Sequence, residues 1–317
     1  MTTTIVLLII GLIVLIIGGD FLVRGASSIA FRLHISPLVV GLTIVAFGTS
    51  SPELLISIQS ALKGSPDIAM GNVVGSNICN LALVLGLTAV INPVSVQSNS
   101  IRIDWPMAMG ASIMLYLLVR DSSLEATEGI LFIVILCIYL FTIISQSRKD
   151  VIAAKKIKED ENSIPNTPIK QIWKDIIFIV IGCAGLYYGS EWFVGSAKDL
   201  ALSLGVEERV VGLTIVALGT SLPELVTAAV ASYKGQTDLA LGNLMGSNIF
   251  NILSILGITS IIQEIHINAD ILNKDIIWML MVTLMILPLM IIHRKVGRID
   301  GIIMLFVYVV YVYTVIA

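Results

Sequence analysis

Charged residues are scarce in this chain. Only 13% of its 317 residues are Asp, Glu, Lys or Arg, whereas 56% are hydrophobic, and a soluble domain carries about 25% charged residues. The net charge is only -3, and the basic residues are spread between hydrophobic runs, so the basic face of a nucleic-acid-binding protein is missing. The composition indicates an integral membrane protein in a lipid bilayer, without a nucleic-acid partner.

Cysteine and histidine are also rare, with three residues of each. Cys79, Cys137 and Cys183 lie in or beside apolar runs, without the paired spacing of a disulfide framework or a zinc site. We interpret them as small packing residues and expect no cofactor. The N-terminus lacks the basic segment and the small-residue cleavage site of a secretory signal, so we expect the first hydrophobic run to be retained.

Hydrophobic runs of the length that crosses a bilayer recur along the chain. Ten can be read, at 4–23, 37–62, 70–91, 105–119, 129–146, 174–194, 210–232, 240–262, 275–293 and 299–316. Between the fifth and the sixth, residues 147–173 are rich in Lys, Glu, Asn and Pro and are predicted to form a solvated linker. The predicted fold is an all-α integral membrane protein with ten transmembrane helices.

The loops between ten spans fall alternately on two sides of the membrane. Most of the 19 lysines and arginines belong to the side that carries the 147–173 linker. Because basic loops stay in the cytoplasm, this side is predicted to be cytoplasmic and both termini extracytoplasmic. We expect a multi-pass protein of the cell membrane (plasma or inner membrane), with no obligate protein partner.

An internal repeat covers much of the sequence. Residues 41–91 align without gaps to residues 212–262, with 27 identities in 51 positions at a constant offset of 171. The same offset places Asp20 opposite Glu191. Each copy holds five spans, an odd number, so the second copy enters the membrane from the opposite face. We predict two inverted repeats, 1–146 and 174–317, an arrangement typical of transporters with a site near the bilayer midplane.

Glu53 and Glu224 lie inside the second and seventh predicted spans, where a carboxylate costs roughly 2.5 to 3.5 kcal/mol or more. Each follows a proline, which is expected to break its helix just before the glutamate. Carbonyl groups of Ala46–Thr49 and Ala217–Thr220 are thereby freed, and such backbone survives at this depth only where it lines a cavity or is buried in protein. Function is predicted for both acids.

Two stripes of small polar residues accompany the glutamates at a spacing of four residues. Their members are Asn72, Ser76 and Asn80 in the third span, and Asn243, Ser247 and Asn251 in the eighth. Carboxylate, carbonyl, amide and hydroxyl oxygens together suit a hard cation such as Ca²⁺. For Asn72 and Asn243 a packing role remains equally open, because both lie beside small-xxx-small motifs.

The two GTSxPE motifs, each followed by GNxxGSNIxN, resemble the alpha repeats of the sodium/calcium exchanger family within the calcium/cation antiporters. The resemblance implies a secondary antiporter that binds three Na⁺ or one Ca²⁺ in turn. It assigns Ca²⁺ to Glu53 and Glu224 with the carbonyls of Thr49 and Thr220. Flanking Na⁺ sites would comprise Ala46, Thr49, Ser76 and Glu224 at one end and Ala217, Thr220, Ser247 and Glu53 at the other, with Asn80 and Asn251 between them.

Some alternatives remain open within this resemblance. Potassium-dependent exchangers carry aspartate where this chain has Asn251, and proton/calcium antiporters carry glutamate in a GNxxE pattern where it has Gly75 and Gly246. Both differences favour Na⁺ as the driving ion over K⁺-dependent or H⁺-driven exchange. A channel is disfavoured by the inverted repeat. An enzyme is disfavoured because no buried His or Lys is placed to activate Ser50 or Ser221.

The last expectations concern the charge moved in each transport cycle and the movement of the helices. With two ionised glutamates, one Ca²⁺ leaves the site neutral and three Na⁺ leave it at +1, so exchange is predicted to be electrogenic. The family resemblance implies that the first and sixth spans slide past the site as a gate. Asp20 and Glu191, near the ends of these spans, are interpreted as structural or gate residues.

Overall fold

The computed structural model describes residues 2–158, 172–205 and 217–316, and these residues form a helical fold with two short strand pairs. The long helices are Thr2–Leu33, Ala126–Lys158, Ile172–Ser203, Ile276–His293 and Arg298–Ile316. The shorter helices are Pro37–Val40, Ala46–Thr49, Ser51–Leu62, Asp67–Ile78, Leu85–Ile91, Trp105–Leu118, Ala217–Thr220, Leu222–Tyr233, Thr237–Phe250 and Gly257–Ile262.

Within the described ranges, seven helical stretches are long and apolar enough to cross a membrane, and an eighth is added if a bent pair counts as one span. The seven are Thr3–Leu33, Asp67–Ile91, Ala126–Ala153, Ile172–Ser203, Thr237–Ile262, Ile271–His293 and Arg298–Val315; the bent pair is Pro37–Thr49 with Ser51–Leu62. The predicted fourth span corresponds to the shorter helix Trp105–Leu118. The predicted seventh begins in 206–216, outside the described residues, so the count of ten stays a prediction.

The predicted linker is partly helical. The fifth-span helix continues through residues 147–158, and the next described helix begins at Ile172. Lys, Glu and Ala are good helix formers, so a polar composition alone does not end a helix. The expectation of a solvated loop is therefore wrong for 147–158, while residues 159–171 lie outside the described part of the chain.

The helices Thr2–Leu33 and Ile172–Ser203 pack against each other along their length. Gly11, Gly18 and Gly25, seven residues apart, face the backbone of the second helix: a Cβ at any of them would lie 2.7 Å from one of its backbone atoms. Close backbone approach of this kind is typical of small-residue interfaces in membranes. Near one end, Arg32 Nε lies 2.5 Å from Asp175 Oδ2 and adds an ion pair between the helices.

Five described segments are π-helical turns: Gly41–Val45, Cys79–Val84, Ser100–Asp104, Asn251–Leu256 and Ile271–Asp275. Such turns are often found at functional sites. The second and fourth contain Asn80 and Asn251, which were predicted as members of a regular α-helical stripe.

Two short antiparallel strand pairs join the first half of the chain to the second. Val94–Ser95 pairs with Lys295–Val296, and Ser123–Leu124 pairs with Ile265–His266. Each strand lies between two helices, so the pairs tie together the ends of helices that are far apart in sequence.

Candidate cation site

The second span is broken next to the first buried glutamate. Its two parts, Pro37–Thr49 and Ser51–Leu62, meet at an angle of 44°. Because Pro52 has no amide hydrogen, the carbonyl one turn earlier, of Gly48, loses its helical donor. The Ala46 carbonyl keeps a donor, the Ser50 amide at 3.0 Å. Proline therefore frees fewer carbonyls than the sequence suggested.

The break turns the start of a new helix toward the interior. Glu53 lies in the first turn of Ser51–Leu62, where the partial positive charge of the helix N-terminus favours a carboxylate. Glu224 occupies the same position in Leu222–Tyr233, after a one-residue interruption at Ser221. The two copies of the motif thus present their glutamates in the same way.

Both carboxyl groups are buried, with Glu53 1% and Glu224 0% exposed, and Ser50, three residues before Glu53, contacts Glu224. Among the ion pairs of the described residues, none involves either glutamate. Glu224 Oε1 accepts hydrogen bonds from Ser50 Oγ at 3.2 Å and Ser247 Oγ at 3.5 Å. Buried carboxylates without a cationic partner are expected to bind a metal ion or a proton.

Several buried oxygens around this pair have no hydrogen-bond partner within the described residues. They are Glu53 Oε2, Glu224 Oε2, Ser76 Oγ, Asn80 Oδ1, Asn251 Oδ1 and Ser221 Oγ. Unsatisfied buried oxygens are rare in proteins and call for a partner. A set composed of carboxylate, amide and hydroxyl oxygens is what Ca²⁺ and Na⁺ prefer over softer metals.

Hydrogen bonds connect part of the predicted ligand set directly. Thr49 Oγ1 contacts Ser247 Oγ at 3.4 Å and the Ala46 carbonyl at 3.3 Å, and Ser247 joins this group to Glu224. Ala46 is fully buried. Of Ala217 only the backbone is described, as the first residue of helix Ala217–Thr220.

Asn72 and Asn243, which the sequence left open, have different roles in the two halves. Asn243 Oδ1 accepts a hydrogen bond from Thr49 Oγ1 at 3.1 Å, next to the site. Asn72 Nδ2 instead donates to Ser57 Oγ at 3.4 Å on the neighbouring helix. Asn243 therefore belongs to the site, whereas Asn72 packs one helix against another.

Two residues that the sequence reasoning missed contact the predicted ligands Asn80 and Asn251. Asn77 and Asn248 are 1% and 2% exposed, and each donates from Nδ2 to the backbone carbonyl of the other, at 3.2 and 3.1 Å. Their side-chain oxygens accept from Asn251 Nδ2 at 3.0 Å and Asn80 Nδ2 at 3.2 Å. Both asparagines belong to the repeated GSNI motif, which could have identified them. The predicted stripe, with its spacing of four residues, does not include them.

A cavity of about 330 Å³ approaches the site from one side. It lies between helices Ser51–Leu62, Ile172–Ser203 and Leu222–Tyr233, and its walls include Pro52, Glu191, Lys198, Gly219, Thr220 and Pro223. Thr220, predicted as a ligand, thus faces this cavity. The exposed side chain of Glu191 lies at its surface.

Asp20 and Ser27, which the repeat offset relates to Glu191 and Lys198 of this cavity, form polar contacts instead. Asp20 forms ion pairs with Lys234 and, at 2.7 Å, with Arg24. Ser27 Oγ donates to Gln236 Oε1 at 2.6 Å. Asp20 and Glu191 are equivalent in the repeat, yet only Asp20 takes part in an ion pair among the described residues.

The helices define a multi-pass membrane protein, and its buried carboxylate, amide and hydroxyl oxygens are of the kinds that bind hard cations. The sequence pattern of the family described as "Sodium/calcium exchanger protein" matches residues 3–145 and 174–317. The chain therefore belongs to the sodium/calcium exchanger family, which confirms the predicted resemblance. This is a family of transporters, not of enzymes.

Relatives with similar sequences cover almost the whole chain. It is 30% identical to the sodium/calcium exchanger MaX1 of Methanosarcina acetivorans, over 98% of this chain and 97% of that protein. It is 33% identical to the inner membrane protein YrbG of Escherichia coli, over 88% and 86%. A solved structure of the sodium-calcium exchanger NCX_Mj matches with a TM-score of 0.83 at 30% identity and covers 98% of both chains.

Proposed function

We propose that this protein is a secondary antiporter that exchanges Na⁺ for Ca²⁺ across the membrane by alternating access. The observation that carries the proposal is the buried pair Glu53 and Glu224, one from each half of the chain, with no cationic partner in the described residues and with unpartnered oxygens around it. Two carboxylates and neutral oxygens match a divalent ion that several Na⁺ can replace. The exchanger names of MaX1 and NCX_Mj point to the same pair of ions.

In this proposal Ca²⁺ binds Glu53 and Glu224 together with the carbonyls of Thr49 and Thr220. Na⁺ binds on either side, at Ala46, Thr49, Ser76 and Glu224 and at Ala217, Thr220, Ser247 and Glu53, with Asn80 and Asn251 between. The contact of Thr49 with the Ala46 carbonyl joins two members of the first of these sites, and Ser247, which is assigned to the second, lies against Thr49 and Glu224 of the first.

Ten spans in two inverted repeats, 1–146 and 174–317, remain our interpretation of the topology, and the strand pairs support it. The span Ile271–His293 separates the strands Ile265–His266 and Lys295–Val296, which must then lie on opposite sides of the membrane. Their partners, at 123–124 and 94–95, must do the same. In this topology helix Trp105–Leu118, which lies between those partners, would also cross the membrane, although it is short.

The distribution of basic loops assigns the sides. The termini would be extracytoplasmic, the linker around 147–173 cytoplasmic, and the contact of Asp20 with Lys234 would close the cytoplasmic end. The cavity beside Glu191 would then open to the outside. A cell-membrane location agrees with the name of YrbG as an inner membrane protein.

Counting charges gives a stoichiometric prediction. If both glutamates are ionised, three Na⁺ for one Ca²⁺ moves one net charge per cycle, which is worth about 2.3 kcal/mol per 100 mV. Purified protein in vesicles held at different potentials should take up ⁴⁵Ca²⁺ at rates that depend on voltage. A flux that is independent of voltage would exclude this stoichiometry.

The identity of the driving ion can be tested in the same vesicles. Vesicles loaded with Na⁺ should take up ⁴⁵Ca²⁺, whereas vesicles carrying only a pH gradient or only K⁺ should not. Gly75, Gly246 and Asn251 stand where H⁺-driven or K⁺-dependent relatives would carry acids, and they support Na⁺. Uptake driven by the pH gradient alone would replace Na⁺/Ca²⁺ exchange with H⁺/Ca²⁺ exchange.

A further inference from the structure

We propose that Asn77 and Asn248 are positioning residues that hold the amide groups of Asn251 and Asn80 with their oxygens, and not their NH₂ groups, toward the transported cation. The inference rests on the proposed function, because it assumes a cation beside Glu53. It assigns a role to two residues that are not themselves ligands.

The orientation of the two positioning residues is determined by the backbone. A backbone carbonyl can only accept a hydrogen bond. The side-chain atom of Asn77 that lies 3.2 Å from the Asn248 carbonyl must therefore be its NH₂ group, and the same holds for Asn248 and the Asn77 carbonyl at 3.1 Å. Neither amide can flip without losing this bond.

The orientation of Asn77 and Asn248 in turn determines that of Asn251 and Asn80. The NH₂ group of Asn77 also lies 3.7 Å from Met279 Sδ, so with their NH₂ groups engaged Asn77 and Asn248 present their Oδ1 atoms to the NH₂ groups of Asn251 and Asn80. These oxygens accept from Asn251 Nδ2 at 3.0 Å and from Asn80 Nδ2 at 3.2 Å. The NH₂ groups of Asn251 and Asn80 are thereby turned away from the site, and their Oδ1 atoms, buried and without a hydrogen-bond partner in the described chain, remain for a cation.

This orientation matters because the two ends of an amide have opposite polarity. An asparagine that is free to rotate would present its NH₂ donors to the cation part of the time, and these repel it. Residues that orient metal ligands typically contribute 10- to 100-fold to metal affinity. The contacts are crossed: Asn77 in the first half orients Asn251 in the second, and Asn248 orients Asn80.

A mutant cycle isolates the orienting role. Asn77→Ala should raise the Ca²⁺ concentration for half-maximal Na⁺-driven uptake by at least about tenfold, with the maximal rate changed by less than about twofold. In an Asn251→Asp background, Asn77→Ala should raise the Ca²⁺ concentration for half-maximal uptake by no more than about twofold, the range of uncoupled positions. A carboxylate has two equivalent oxygens and no NH₂ group, so it needs no orientation.

The matched control uses the other half of the network. In an Asn80→Asp background, Asn77→Ala should keep its full effect, because Asn80 is oriented by Asn248. Asn248→Ala should show the reverse pattern, suppressed by Asn80→Asp and not by Asn251→Asp. Asn77→Leu, which removes the polar atoms at nearly constant volume, replaces the alanine variant if that variant does not elute as a single species in size-exclusion chromatography.

Equal effects of Asn77→Ala in all three backgrounds, or no effect in any, would overturn the inference. Calorimetric titration of Ca²⁺ into the purified variants gives a second measurement that does not depend on transport. If the unaltered protein binds Ca²⁺ but does not exchange it for Na⁺, the proposed function fails while the positioning role is still decided by the titration. If Na⁺-driven uptake is intact and the cycle shows no coupling, only the positioning role fails.

Discussion

At the residue scale, the site is defined by two buried acids that have no ion-pair partner within the described residues. Glu53 and Glu224 are both buried, and within the described residues the hydrogen bonds from Ser50 and Ser247 reach only one oxygen of Glu224. Charged groups kept in a membrane interior are usually functional, because their cost is otherwise unopposed. The unpartnered oxygens Glu53 Oε2 and Glu224 Oε2 are therefore the clearest indication of a cation site.

We expect Glu53→Gln and Glu224→Gln each to reduce Ca²⁺ affinity by more than about 100-fold, since each removes a charge but preserves size and removal of one partner of a buried charge pair costs about 3 kcal/mol or more. Calcium titration and ⁴⁵Ca²⁺ uptake by vesicles measure this. Glu264→Gln, at a partly exposed position beside His266, is the control and should behave like the unaltered protein. Retained Ca²⁺ transport in both glutamine variants would remove the basis of the proposed site.

At the scale of elements, two long helices meet through glycine. The backbone contacts at Gly11, Gly18 and Gly25 leave no room for a Cβ against the helix Ile172–Ser203. The two helices are therefore in direct backbone contact at these three positions, and their role as a gate stays a prediction.

Gly18→Ala should lower the free energy of unfolding by roughly 1–3 kcal/mol, because the added Cβ overpacks the interface. It should also slow transport. Gly110→Ala is the matched control, since a Cβ there meets nothing within 4 Å, and it should be neutral or stabilising by up to about 1 kcal/mol from helix propensity. Thermal unfolding in detergent compares the two variants. Equal changes in their free energies of unfolding would show that the helix interface has room for a Cβ at Gly18.

At the scale of the whole molecule, the two halves are similar in sequence but differ in their contacts. The repeat offset relates Asp20 to Glu191 and Lys234 to Lys63. Asp20 and Lys234 form an ion pair, whereas Lys63 and Glu191 are exposed. In a transporter with inverted repeats, the opposite state arises when the halves exchange conformations.

We therefore expect Lys63 and Glu191 to approach each other when the protein opens to the other side. In a variant without native cysteines, the pair Asp20→Cys with Lys234→Cys should cross-link in the present state and Lys63→Cys with Glu191→Cys in the opposite one. The two yields should change in opposite directions as Na⁺ or Ca²⁺ is varied. Yields that rise and fall together would contradict an exchange of conformations between the halves.

The topology offers a further test. Ser95→Cys and Ser123→Cys lie on either side of helix Trp105–Leu118, and in the proposed ten-span topology their two strand pairs lie on opposite faces of the membrane. A membrane-impermeant maleimide added to intact cells should label Ser123→Cys only, and cell lysis should be needed to label Ser95→Cys. Labelling of both in intact cells would leave fewer than ten spans.

The sequence alone determined the membrane class, the duplicated motif, the two buried acids and the family, because hydrophobic length, repetition and a Pro-Glu pair inside an apolar run are local properties. Eight of the ten predicted runs correspond to helices able to span the membrane, alone or as the bent pair. The helical residues 147–158 were missed because polar sequence forms exposed helices as readily as loops.

Only the tertiary structure decided which contacts each of two equivalent residues makes. Asn72 and Asn243 occupy equal places in the repeat but contact different neighbours, and among the described residues Asp20 has an ion-pair partner while Glu191 has none. The crossed hydrogen bonds of Asn77 and Asn248 join residues 171 positions apart in the chain. Such contacts depend on how two nearly identical halves pack together, and a repeat in the sequence carries no information about the difference between its copies.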